Sequence, residues 1–537
     1  MNRNTENHFG NNPSKSMPRS AFKMSHSLTT SFNAADIVPI YWKECLPGDS
    51  MKMKVSEVIR MSTPIHPVMD NAYIDTYFFK IPMRLVDEHW EEFMGENKKD
   101  AWTQEEEFIV PQVTAPAVTG WTKGSLASYF GVRINTPNIS LDAKWFRAYV
   151  LCYNEWFRNQ NTIEPAELSL GQETTTGTNG TDYVTDMQKG GCLAKAGKFA
   201  DYFTRSLPEP SKGPEIFVPI GNTAPLIYVD PENPVNENYP IDSSHNGNEA
   251  AFTKETVGMS FYDSTTPSTL TAMKSYGLAA DLSHAEGATI NALRMAFSIQ
   301  RLYELDATGG TRYIEQIRAH FKVNVPDARL QRPEYVGGKR VNINMMDVIQ
   351  TSSTDNTSPL GHEAGESKTI DNEQYIETAF TEHSILLGVA CIRTDHSYQQ
   401  RLERAFNRKT RLDYYWPELA NLGNQGILNK EIFVQGTNED DEVFGYQEAW
   451  AEYRYEENII TGEMNSDYSA SLDSFHYGDD YEQLPTLSAE WSMETKNNIA
   501  RTLAIENQDQ FIASFYFDST WYRPMPIYSI PSLSGWS

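Results

Sequence analysis

Along most of the chain, apolar residues alternate with polar ones over short stretches or gather in brief runs, and these stretches predict strands. In KMKVSEVIR (52–60), Met53 and Val55 alternate with polar neighbours and Val58 follows, while YIDTYFFKI (73–81) is dense in β-branched and aromatic residues. Pro64, Pro67 and the pair Asp70-Asn71 mark a loop between them. SILLGVACI (384–392) is a continuous apolar run short enough for a buried strand, and EVFGYQEAWAEYRY (442–455) and FIASFYF (511–517) also read as extended. Helical spacing is rarer. DAKWFRAYVLCYNEWFR (142–158) repeats Trp145, Tyr149, Cys152 and Trp156 at intervals of four, three and four, with Asp142 as its N-cap. Such an aromatic stripe could stack bases, but at helical spacing it more often packs into a core. RLVDEHWEEFM (84–94) reads as a short helix ending at Gly95. In 288–305, Ile290, Leu293 and Phe297 share a face that Leu302 and Leu305 continue. After Gly309-Gly310, residues 311–321 form a second helix with Ile314, Ile317 and Phe321 inward. Arg294, Arg301, Arg312 and Arg318 would then line the outer faces.

Between 161 and 291 the texture changes: twelve Gly, ten Pro and turn pairs such as Asn179-Gly180 and Asn246-Gly247 leave room for a few short strands such as EIFVPI (215–220). A structureless loop of this length is unusual inside a compact domain, so the segment reads as an elaborate surface excursion. Strands separated by long irregular loops, with few long helices, indicate a mainly antiparallel β protein with large insertions.

Composition narrows the class. The chain has 537 residues, 12% of them aromatic, and a net charge of −27. Aromatic content of this order excludes a disordered chain, and the length allows one enlarged domain or several smaller ones. No apolar run approaches the roughly 18 residues that span a bilayer, so no membrane insertion is expected. The opening MNRNTENHFGNNPSKSMPRSAF lacks the apolar segment of a secretory signal, which points to a protein made in the cytoplasm. Cys45, Cys152, Cys192 and Cys391 are scattered, without zinc spacing, and read as reduced thiols. The charge is unevenly placed. Residues 1–30 carry Arg3, Lys15, Arg19 and Lys23 against Glu6, and 293–340 and 393–412 each have a surplus of four positive charges. Segments 161–291 and 413–510 run to −10 and −17. Blocks of this kind suit a protein with one side toward a polyanion and the other toward water, and they are equally compatible with ordinary solvated surface. The arm residues Arg3, Lys15, Arg19 and Lys23 are the candidate nucleic-acid contacts; the alternative is an arm touching only neighbouring subunits.

A search for catalytic constellations returns nothing specific. GGCLAKAGKF (190–199) has the wrong glycine spacing for a phosphate loop and Phe199 where Ser or Thr must hold magnesium. No GxSxG elbow or HExxH pair is present. The acidic clusters 105–107, 440–442 and 479–480 could attract a hard cation, but none has calcium-loop spacing, and adjacent carboxylates in turns are usually solvated. No catalytic, metal or cofactor residues are therefore assigned. A carbohydrate-active β enzyme with paired carboxylates is the alternative from another class.

The stretch 22–96, from FKMSHSLTTSFNAADIVPIYWKECLPGDS through YIDTYFFKIPMRLVDEHWEEFMGE, resembles the start of the major capsid proteins of gokushoviruses, small single-stranded DNA phages of the microvirus family. The likeness continues in RYIEQIRAHFKVNVPDARLQRPEYVGG (312–338), FGYQEAWAEYRY (444–455) and FDSTWYRPMPIYSIPSL (517–533). It implies an eight-stranded antiparallel jelly roll with long loop insertions and a few short helices. On that template, 1–45 is an extended N-terminal arm and 46–160 the first part of the jelly roll. Residues 161–291 become a surface insertion and candidate threefold protrusion, and 292–537 the remainder. The resemblance further implies a T=1 shell of 60 copies around a circular single-stranded DNA genome, assembled in the bacterial cytoplasm. Its expected partners are other copies of itself, a small basic DNA-packaging protein, a DNA-pilot protein, an internal scaffolding protein and the bacterial host surface.

Overall fold

The alternation that marks strands in the sequence is sharpest in the last one. Along Phe511–Arg523 the residues Phe511, Ala513, Phe515, Phe517 and Trp521 are buried, whereas Ile512, Tyr516 and Tyr522 face solvent. In the computed structural model this strand is the spine of one of two packed sheets. The structure describes residues 18–96, 108–213, 226–229, 251–255, 258–262, 277–280, 290–309, 313–322, 331–352, 360–361, 363–505 and 508–528.

In chain order the core strands are β1 (Ser20–Lys23), β2 (His26–Phe32), β3 (Val38–Cys45), β4 (Ser50–Met61), β5 (Ala72–Pro82), β6 (Glu334–Asn342), β7 (Thr369–Ala379), β8 (Ser384–Thr394) and β9 (Phe511–Arg523). One sheet runs β1-β9-β4-β7 with β2 also on β9; the other runs β6-β5-β8-β3, and every pairing is antiparallel. Apart from the split first strand and the β5-β6 pair, which are neighbours in one sheet, consecutive strands alternate between the two sheets, and the orders β1/β2-β9-β4-β7 and β3-β8-β5-β6 are those of a jelly roll. The expected eight strands become nine here because the first edge is split at Met24 and Ser25 into β1 and β2, both paired with β9. Between the sheets, Phe517 lies 5.0 Å from Tyr41 and 6.5 Å from Phe78 by ring centroids.

β8 has no alternation because both of its faces are covered: all but Arg393 of its eleven residues are buried. One face meets the opposite sheet. The other meets a layer that includes helix α1 (Lys144–Cys152), whose buried residues surround its axis rather than forming one stripe. Tyr149 ties this layer to the jelly roll by donating its hydroxyl to Ile37 O at 2.6 Å. A π-helical turn, Tyr153–Phe157, follows α1; its wider winding carries Trp156 off the stripe to a 40% exposed position.

Several expectations change. The stretch expected as an extended arm to residue 45 contributes three strands from Ser20 onward, two of them held by a strand almost 500 residues away. The helix expected over 84–94 is a single turn, Trp90–Phe93. The extended reading of 442–455 holds for Val443–Glu448, after which Trp450 takes a φ of 66° and the chain turns. A separate compact unit spans Ser211–Val323, whereas 161–210 belongs to the larger unit, with Met187, Leu193 and Ala194 in its core. The EIFVPI stretch lies outside the described residues. Within the smaller unit, helices α2 (Ile290–Gly309) and α3 (Tyr313–Phe321) meet through an Asp306–His320 contact of 2.6 Å. Leu293, Phe297, Leu302, Leu305 and Phe321, expected inward, are exposed in this chain.

Candidate nucleic-acid interface

Of the four basic residues assigned to the arm, Arg3 and Lys15 lie outside the described residues. Arg19 directs its guanidinium at the chain itself, reaching Ser50 Oγ at 3.1 Å and the carbonyl oxygens of Gly48 and Tyr522 at 2.5 and 3.4 Å. Lys23, four residues further on, pairs with Asp518 at 3.5 Å while remaining 71% exposed in its side chain. Arg19 thus ties β1 to the ends of β4 and β9, and Lys23 keeps a solvated ammonium.

A second concentration of cations and rings sits on the β6-β5-β8 face. Alternation in β5 turns Ile74 and Phe78 toward the core and leaves Tyr73, Asp75, Tyr77 and Phe79 on the opposite face. Register then does the assembly. Arg340 of β6 stands directly opposite Asp75, and Arg393 of β8 is two positions from the residue that pairs with Asp75. Arg340 donates to both Asp75 carboxylate oxygens at 2.6 and 3.1 Å, and Arg393 also donates to Asp75, to Tyr77 Oη and to Gly197 O. Both guanidinium groups lie over the Phe199 ring, 4.4 and 4.2 Å from its centroid. Burial alone would raise the Asp75 carboxyl; the hydrogen bond from Arg340 and the charge of Arg393 outweigh it and hold the pKa below the ordinary value.

Beside this cluster is a cavity of about 410 Å³ lined by Tyr77, Phe79, Trp156, Phe157 and Tyr335, with Arg393 and Lys198 at its edge. The rings interlock, with Tyr77–Phe157 at 5.3 Å and Phe79–Trp156 at 5.5 Å, while Arg332 lies over Trp156 at 5.1 Å. Flat aromatic groups stack on such surfaces. Arg393 and Lys198 already carry the carboxylates of Asp75 and Asp479, so the cavity offers stacking area more than charge for a phosphate.

The acidic clusters are also resolved. Asp440 accepts the amides of Gln435 and Gly436, Asp441 pairs with Lys430, and Asp479 is buried, against the expectation that such turns are merely solvated. Residues 105–107 lie outside the described residues. Asp479 accepts from His396 Nδ1 at 3.0 Å, Asn498 at 2.6 Å, Tyr481 at 2.9 Å and Lys198 at 3.3 Å, and His396 Nε2 meets Glu494 at 3.1 Å. Burial opposes protonation of His396, but Asp479 and Glu494 overcome it and push its pKa up to about 10. Burial likewise works against ionisation of Asp479, yet Lys198 and His396 hold its carboxyl far below the usual range. The four charged members, Lys198, His396, Asp479 and Glu494, are up to 296 positions apart in sequence. No spacing motif could have linked them.

The chain matches the family model described as capsid protein (F protein) over residues 10–533. It is 39% identical over 531 residues to the capsid protein VP1 of Spiroplasma virus 4, with 96% of each chain covered. It is 38% identical to the capsid protein VP1 of Bdellovibrio phage phiMH2K, with 99% of each covered, and 33% identical to that of Chlamydia phage 1, with 98% of each covered.

Proposed function

The chain belongs to the phage capsid protein (F protein) family, and from that premise we propose that it is the structural capsid protein of a small single-stranded DNA phage of the gokushovirus type. The observation that carries this reading is the jelly-roll strand order, continuous in a chain that its capsid relatives match almost from end to end. Two packed sheets bury their apolar faces against each other, and the double-sheet arrangement limits the strand edges left to pair at random. Long connections supply the several distinct contact surfaces that closed symmetric assembly asks of one subunit.

In this reading 60 copies form a T=1 shell around a circular single-stranded DNA genome, and the virion is where the protein resides. Arg3, Lys15 and Lys23 supply charge toward the genome, while Arg19 anchors the base of the arm through its bonds to Gly48, Ser50 and Tyr522. Modest, dispersed basic charge suits a shell that holds nucleic acid without reading its sequence. Of the excursion expected over 161–291, the part from Ser211 onward, which belongs to the smaller unit, contributes the outer relief and the host contact. A small basic DNA-packaging protein, a pilot protein and an internal scaffolding protein complete the particle.

Electron microscopy of the purified protein, or of particles that contain it, is the direct test. Uniform closed shells with icosahedral symmetry are expected. A discrete monomer under every assembly condition would refute the reading.

A further inference from the structure

Residues 404–422 form an ordered surface segment built from three short turns: Arg404–Asn407, Arg411–Asp413 and Pro417–Leu419. Phe406, Leu412, Leu422, Tyr414 and Tyr415 are 76, 69, 59, 53 and 46% exposed. The segment is nevertheless fixed from within. Asp413 accepts the amides of Lys409 and Thr410 at 2.8 and 2.6 Å, and Trp416 Nε1 donates to Arg411 O at 3.1 Å. Arg411 lies over Trp416, Arg408 lies over both Tyr414 and Tyr453, and Tyr415 packs edge-on against Trp450. A loop whose ring positions are set in advance loses little freedom when it is covered. With about 150–250 Å² on each aromatic side chain, these side chains together expose on the order of 600 Å². That sum reaches the upper end of the roughly 300–600 Å² of the largest apolar patch on a typical monomer and approaches the roughly 800 Å² each partner gives to a standard interface.

We propose that this segment is a contact surface for a second copy of the same chain; the inference rests on the capsid reading and names a part of the subunit that makes the shell. Charge decides against a nucleic acid as the occupant. Although 393–412 carries six basic residues, four are taken up internally: Arg393 by Asp75, Arg401 by Glu457 at 2.5 Å, Arg404 by Glu431 at 3.2 Å and Arg408 by Glu452 at 3.5 Å. Only Lys409 and Arg411 form no ion pair among the described residues, and the Lys409 charge already acts on Asp441, so too little is left to hold a polyanion. They do suit an acidic partner, and a second copy is one. Its net charge is −27, with exposed Glu439, Glu442, Glu456 and Glu463 within its most acidic block. Aromatic residues and arginine with little free charge form the composition of an interface core, and two cations at its edge offset the repulsion between like-charged copies.

The test compares the full-length chain with a Phe406→Asp/Leu412→Asp double variant by analytical ultracentrifugation and electron microscopy, with circular dichroism and thermal unfolding as controls for folding. Both side chains point to solvent, so the variant should unfold at the wild-type temperature. The expected result is assembly by wild type and at least a tenfold higher concentration requirement, or no assembly, for the variant. Equal assembly of both proteins would overturn the proposal and leave the capsid reading standing. So would equal assembly with loss of retention of an oligo-dT probe by the variant, which would mark a nucleic-acid surface. A wild type that stays monomeric at every concentration would overturn both readings. If the double variant fails to fold, Leu412→Ser alone provides the same comparison.

Discussion

Replacing Asp479 with Asn tests the buried network most directly. In the folded protein the Asp479 carboxylate faces His396, Lys198, Asn498 and Tyr481, and His396 also faces Glu494. The substitution keeps the shape and leaves two buried cations with one carboxylate. Breaking a buried pair by removing one partner costs roughly 3–5 kcal/mol. Against burial and the Lys198 charge, Asp479 and Glu494 together raise the His396 pKa from 6.5 to about 10, which corresponds to about 5 kcal/mol favouring its charged form, of which Asp479 supplies only a part. Because the folded pKa lies above the unfolded one, that stabilisation is complete below about pH 6.5 and is lost as pH rises through about 10. Asp479 works in the opposite direction: its lowered pKa gives stability that is present above about pH 3.8 and lost on further acidification. Urea unfolding of the full chain followed by tryptophan fluorescence provides the readout, since Lys198 Nζ lies 4.6 Å from the Trp491 ring. The D479N variant should lose roughly 3–5 kcal/mol at pH 6, and its deficit relative to wild type should shrink toward pH 10. A loss below about 1 kcal/mol, or a deficit that does not change with pH, would refute the reasoning.

Three further outcomes follow from the sheets. Glu57 occupies an inward position of β4, no partner reaches its Oε2 among the described residues, and burial beside Asp371 raises its pKa to about 7 despite Lys339. Its protonated form is favoured on folding, so stability should be greatest below about pH 4.5 and fall by up to about 3 kcal/mol as pH rises through 7; Glu57→Gln should flatten that slope in unfolding midpoints taken at pH 5 and 8. At Gly388 a Cβ would fall 2.6 Å from Phe78 Cε1 and 2.9 Å from Tyr41 Cβ, so Gly388→Ala should overpack the space between the sheets and lower stability by about 1–3 kcal/mol in the same denaturation experiment. Phe517→Ala, which empties the position between Tyr41 and Phe78, should cost about 3–5 kcal/mol in calorimetry; a loss under 1 kcal/mol would mean that this ring does not bridge the two sheets.

Much of the fold was legible along the chain. Alternation located β4, density of β-branched and aromatic residues located β5, and β9 read as extended over 511–517; the apolar run at 384–392 located β8, whose burial on both faces explains why it does not alternate. β1 and β2 were missed because an edge strand half exposed to solvent has weak alternation, and its pairing partner lies at the far end of the sequence. The helical stripe 145–156 was correct as far as Cys152, where a π turn changes the winding in a way that no 3.6-residue period anticipates. The inward face assigned to α2 is exposed at Leu293, Phe297, Leu302 and Leu305, whereas on α3 Phe321 is exposed and Ile317 half-buried; an apolar stripe along a helix does not say which surface covers it.

The sequence by itself determined the class of the protein. Local period, turn residues and long blocks of family resemblance are properties of neighbouring residues, and they suffice for a mainly antiparallel β chain with large insertions. It also determined that charge comes in blocks. Tertiary structure decided which charges remain free. Strand register brings Arg340 and Arg393 onto Asp75, and the folding of distant loops encloses His396 with Asp479 and Glu494, so that cations conspicuous in the sequence are spent inside the fold. Lys23, Lys409 and Arg411 keep exposed charge, and Arg19, exposed as well, is turned onto neutral oxygens of Gly48 and Ser50. The reason is physical: a block of charge is a sum over the chain, whereas an ion pair depends on distances of a few ångströms that only the packed sheets set.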